Sequence, residues 1–154
     1  MKKIETDVVS LVHQLARTIK KVGVRKVAEV LNEINEDKQA SYFNKSVIDF
    51  TINEVCAEFS VPKTYIKRKN IRGSIIEARR MCFVILKKHL DLRHDEIASV
   101  FGLSSHTLVS IAIKDFKKLD AQIKRDREFL DKYMVVDAKV KGYKEKLYLT
   151  QKHD

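Results

Sequence analysis

Apolar residues on both sides of Gly102 recur at helical spacing, which forces two helices to meet across a turn only a few residues long. Before the glycine, Ile97, Ala98 and Phe101 share one helical face; after it, Val109, Ala112, Ile113 and Phe116 follow the i, i+3, i+4, i+7 rhythm. Gly102 can take the positive φ that ends a helix, and Ser104 or Ser105 can cap the next. The second helix then buries one stripe and leaves His106, Thr107 and Ser110 or Lys114 on its other faces. This is the punctuation of a helix-turn-helix, in which polar residues at the start of the second helix can reach base edges in a major groove. A plain helical hairpin has the same punctuation, so the turn alone does not decide.

Charge adds the second half of the pattern. Positions 61–80 carry Lys63, Lys67, Arg68, Lys69, Arg72, Arg79 and Arg80 against a single acid, Glu77, a local excess of six within a chain whose formal charge is +10. A solvated surface loop explains such a cluster by itself. Leading into a helix in the same small domain as a helix-turn-helix, it supplies the phosphate contacts that base readout needs.

These residues bring a family into view. From about Ile48 to Met134 the chain resembles the C-terminal DNA-binding domain of the bacterial replication initiator DnaA. That family's Val-Cys-x-x-Phe-x-Val phrase is matched by Val55-Cys56-Ala57-Glu58-Phe59-Ser60-Val61. Its basic loop is matched by Lys67-Arg68-Lys69 through Arg72, and its Ala/Pro-Arg-Gln phrase by Ala78-Arg79-Arg80-Met81. The family signature Ile-Gly-x-x-Phe-Gly-Gly-Arg-Asp-His-Thr-Thr-Val keeps Ile97, Phe101, Gly102, His106, Thr107 and Val109 here. The resemblance implies an all-α helical bundle that reads double-stranded DNA. It assigns base contacts to Ser105, His106, Thr107 and Leu108, and phosphate or minor-groove contacts to Lys67, Arg68, Lys69, Arg72, Arg79 and Arg80. It also implies a setting in control of replication initiation or of transcription.

The departures are at the reading positions. Ser104-Ser105 stand where the family has Arg-Asp, and Leu108 where it has a second Thr. A carboxylate accepts from base amino groups, Ser discriminates poorly, and Leu offers only apolar contact to a thymine methyl, so a target different from the family's usual box is expected. The same swaps keep an alternative open, a protein-binding adaptor that retains the fold without base readout.

Other chemistries find little support. The chain has four glycines and no Gly-x-x-x-x-Gly-Lys-Ser/Thr phosphate loop, so a DNA-binding domain without the ATPase module is expected. An enzyme is not expected: the nearest acidic cluster, Asp91, Asp95 and Glu96, fits helix-end electrostatics without catalysis. His13, His89, His94, His106 and His153 are scattered, so no metal site or cofactor is expected. His89 reads as a surface residue favoured by a helix C-terminus. Cys56 and Cys82 fall on apolar helix faces and read as buried thiols rather than a disulfide. Without a signal peptide or a spanning apolar run, a cytoplasmic, nucleoid-associated protein is expected.

Three segments are expected along the chain. Residues 1–44 form an N-terminal antiparallel helical hairpin, with stripes Ile4, Val8, Leu11, Val12, Leu15, Ile19 and Val24, Val27, Ala28, Leu31, Ile34 broken at Gly23, followed by a polar linker over 35–45. The hairpin either packs onto the following domain or serves self-association or a protein partner. Residues 45–136 form the DnaA C-terminal-like domain, ending in a short helix with Phe129, Leu130 and Tyr133. Residues 137–154 are a basic tail whose pattern decides neither strand, helix nor disorder.

Overall fold

The structure, a computed structural model, describes the backbone of residues 2–151 and the side chains of residues 8–151, so Ile4 of the first stripe and positions 152–154 of the tail lie outside the described side chains. All regular structure among the described residues is helical: α1 (Lys2–Val22), α2 (Val24–Glu58), a 3-10 turn at Lys63–Tyr65, α3 (Ser74–Leu90), α4 (His94–Val100), α5 (Thr107–Phe116) and α6 (Lys124–Gln151). The chain divides into two compact units, residues 1–42 and 43–154, with the division falling inside α2.

In the first unit the break comes at Gly23, where φ is +88°. The two stripes, however, do not face each other. Val8, Leu11, Leu15, Leu31 and Ile34 are 44–63% exposed. The reason is geometric: Val22 ends α1 and Val24 starts α2, leaving one residue where a packed antiparallel helix pair needs about two to five. The polar stretch 35–45 is likewise not a linker but part of α2. Neither Gly nor Pro occurs between Gly23 and Pro62, and Glu, Lys, Gln and Ala sustain a solvated helix there.

The second unit is built around α3. Its Ala78, Met81, Cys82, Ile85 and Leu86 are fully buried, and it packs against α4, α5 and α6. Phe83 of α3 meets Phe101 edge to face at 5.1 Å, joining the central helix to the turn after α4.

On another side of the unit, α6 runs antiparallel along the C-terminal half of α2. Tyr148 meets Phe43, Tyr143 stacks on Phe50 at 4.1 Å, Lys139 pairs with Glu54 at 2.8 Å, and Phe129 lies against Phe59. The expected short last helix and tail are therefore one helix of 28 residues. Phe129, Tyr133, Val136, Val140, Tyr143 and Leu147 alternate spacings of four and three and form its inner stripe, with Val136 and Val140 fully buried.

The C-terminal end of α3 is tied to α6 by a polar cluster. Asp137 accepts from Lys88 Nζ at 2.7 Å and pairs with His89 Nε2 at 2.7 Å. The His89 side chain is only 8% exposed, so it is an internal tie rather than the surface residue its position suggests. Burial by itself would raise the Asp137 pKa, but hydrogen bonds from Lys88 and His89 outweigh it and hold the carboxyl below its usual range.

Candidate nucleic-acid interface

The turn between α4 and α5 follows from local chemistry. At the start of α4, the Glu96 carboxylate accepts from the Arg93 backbone N–H at 2.7 Å, as in a capping box. At its end Gly102 takes φ +66°, and the Leu103 N–H returns to the Ala98 carbonyl at 3.0 Å, closing the helix with a glycine reversal. His94 Nδ1 and Ser110 Oγ, 2.8 Å apart, join α4 to α5 directly. Val109 and Ala112 seat α5 on the core.

That seating turns the first part of α5 outward. Ser105, His106, Thr107 and Leu108 are all exposed. Ser105 Oγ accepts from the Thr107 N–H at 3.2 Å and lies 2.7 Å from the Thr107 hydroxyl, so the two side chains fix one another and Ser105 covers one free N–H of the helix start. One turn on, Ile111 is 44% exposed beside Leu108 at 54%. Ile111 escapes the sequence reading because it sits next to the buried stripe and looks like part of it. A large apolar side chain left outside that stripe is the signal that could have found it.

The basic loop is held from below. Ile66 is fully buried, Gly73 takes φ +56° to lead the chain into α3, and Lys67, Arg68, Lys69 and Arg72 are exposed. Arg68 lies over the Tyr65 ring at 3.9 Å. Arg79 departs from its expected place among the phosphate contacts. It is only 4% exposed, donates from Nε to the Ile66 carbonyl at 2.7 Å and from Nη2 to the Arg68 carbonyl. Burial pushes its pKa down from the ordinary value. It braces the loop. Arg80, its neighbour, is exposed and lines a cleft of about 240 Å³ with Glu77, Ala112, Asp115 and Arg125.

The acids weighed for catalysis all have structural partners. Asp91 ends α3 in the left-handed conformation and accepts from Lys87 Nζ at 2.8 Å, Asp95 pairs with Arg93 at 3.3 Å, and Glu96 caps α4. Cys56 and Cys82 are buried free thiols, and burial raises both pKa values, that of Cys82 strongly. No group of three or more His, Cys, Asp or Glu side chains suited to a metal occurs among the described residues. Nor, among them, is any helix long and apolar enough to cross a membrane.

Comparison with known proteins agrees with this geometry. Residues 48–115 match the family described as "Bacterial dnaA protein helix-turn-helix". The chain is 30% identical over 101 residues, 66% of its length, to the chromosomal replication initiator protein DnaA of Nautilia profundicola, of which the match spans 22%. No solved structure matches. With α4, the Gly102 turn and α5 inside the matched span, residues 48–115 of this chain hold a helix-turn-helix and are similar in sequence to the bacterial DnaA helix-turn-helix family.

Proposed function

We propose that the unit spanning residues 43–154 binds double-stranded DNA sequence-specifically, with the N-terminal turn of α5 in the major groove, and acts in the control of replication initiation or of transcription. His106 and Thr107 read base edges, flanked by Ser105 and Leu108; Lys67, Arg68, Lys69, Arg72 and Arg80 meet phosphates, with one of the loop cations free to enter the minor groove. The observation that carries this reading is the exposure of four consecutive residues, Ser105 to Leu108, at the start of a helix locked to the core by Val109 and Ala112. The loop supports it: Arg79 consumes two backbone carbonyls at the loop's root while the other cations face outward.

Leu108 and Ile111 give the reading a chemical direction. Two exposed apolar side chains one helical turn apart suit thymine methyl groups rather than amino or carbonyl edges. The reading also implies a nucleoid location. Selection of bound sequences from a random duplex pool tests it, and the expected result is a motif distinct from the DnaA family's usual box and rich in A·T steps. An unenriched pool, together with no duplex binding at low salt, would transfer the domain to the adaptor class.

A further inference from the structure

We infer that α5 meets DNA along its length and not by its first turn alone, with Lys114 and Lys118 as phosphate contacts beyond the residues that read bases. The inference rests on the proposed entry of α5 into the major groove. Val109 and Ala112 are buried, Ile113 packs against the core and Phe116 lies 4.7 Å from Tyr133, so these four define the inner side of the helix. Directly opposite them on the helical wheel stand Thr107, Ile111 and Lys114, at i, i+4 and i+7, and all three are exposed. Lys118 continues the row one turn on, where Lys117 still has a helical backbone and the Lys118 N–H donates to the Asp115 carbonyl at 3.0 Å. The acid between the two lysines, Asp115, lines the cleft beside Arg80.

Cations at a helix C-terminus suit its dipole in any protein. The row singles these two out. From Thr107 to Lys114 the helix rises about 10 Å, close to the width of about 12 Å of a major groove, so a helix whose start touches bases brings these ammonium groups to the phosphate wall. The segment after α5 is also held in place. Arg127 donates from Nε to the Ala121 carbonyl at 2.8 Å and from Nη2 to that of Gln122 at 3.3 Å, and Asp126 accepts from the Asp120 N–H at 3.0 Å. An arginine bound to loop carbonyls thus recurs here, as with Arg79 under the basic loop. Both cationic segments are presented on a fixed backbone, one before α3 and one at the end of α5.

Duplex binding by the full chain across a salt series tests this. Lys114→Ala and Lys118→Ala should each flatten the slope of log affinity against log salt by roughly 0.9, with equal losses on the selected and the scrambled duplex, because phosphates carry no sequence. Lys118→Arg should keep the slope. Lys146→Ala, which removes an exposed cation of α6 outside the row, should leave it unchanged. In the selected duplex, methylphosphonates that neutralise single phosphates locate the contact: at a position about three to five base pairs from the base read by His106, the substitution should weaken the wild type but not the Lys114→Ala, Lys118→Ala double variant. A wild type that binds the duplex, with both lysine variants keeping its slope or with Lys146→Ala flattening it as much, would overturn the inference and leave base readout standing. A wild type that binds no duplex would overturn both.

Discussion

Arg79 donates from its buried Nε to the carbonyl of Ile66 at 2.7 Å, thirteen residues earlier in the chain. A second donor of the same guanidinium reaches the Arg68 carbonyl, so α3 holds the root of the basic loop through one side chain. Ile66 fills the core beneath, and the loop's outward cations stand on a fixed base. A buried arginine spent on backbone carbonyls orders the loop through charge-assisted hydrogen bonds.

Arg79 and its neighbour Arg80 should therefore fail differently. Arg79→Met leaves two carbonyls without a charged donor and should cost about 1–3 kcal/mol in urea unfolding. It should also lower duplex affinity while the slope of log affinity against log salt stays as in the wild type. Arg80→Ala should leave stability unchanged and flatten that slope by roughly 0.9, the loss of one phosphate contact. An Arg79 variant that flattened the slope would place its guanidinium on DNA.

Acid should loosen the junction of α3 and α6. The Asp137 pKa is depressed, so its stabilisation is present above the ordinary carboxylate pKa and is lost as pH falls through the lowered value. Asp137→Asn should destabilise at neutral pH by about 1–3 kcal/mol, and the gap to wild type should shrink in acid. Urea unfolding of both proteins across that range checks the sign; a gap that widened in acid would contradict it.

Target preference should follow the two substituted reading positions. Ser105→Asp with Leu108→Thr restores a carboxylate acceptor and a hydroxyl, and should move the selected motif toward that of the DnaA family. Both positions are exposed, so the thermal midpoint should be unchanged. Replacing thymine by uracil in the preferred site should weaken wild-type binding but not that of a Leu108→Ala, Ile111→Ala double variant. Equal effects of the base change on both proteins would remove these side chains from methyl contact.

Much of the second unit was legible in its spacing. Ile97, Phe101, Gly102, Val109 and Ala112 specify two short helices and their turn because periodicity and a positive-φ glycine are local signals. What local signals could not carry was the fate of side chains whose partners lie far away. Arg79 reads as one more cation beside Arg80 until the Ile66 carbonyl is placed next to it. His89 looks like a surface residue until Asp137, 48 positions on, arrives from α6. The C-terminal stripe from Phe129 to Leu147 was present in the sequence but masked by many lysines, which solvate the outer face of the same helix. Polar composition over 35–45 reads as a linker because a solvated helix and a loop share residue types; only the missing Gly and Pro distinguish them.

The claim that the first turn of α5 reads bases is tested most directly by measuring His106→Ala and Thr107→Ala on the selected duplex and on a scrambled duplex at the same salt. Each variant is predicted to lose about 1–3 kcal/mol on the selected site while keeping wild-type affinity for the scrambled one. Equal losses on the two duplexes, or none on either, would contradict base readout by this helix.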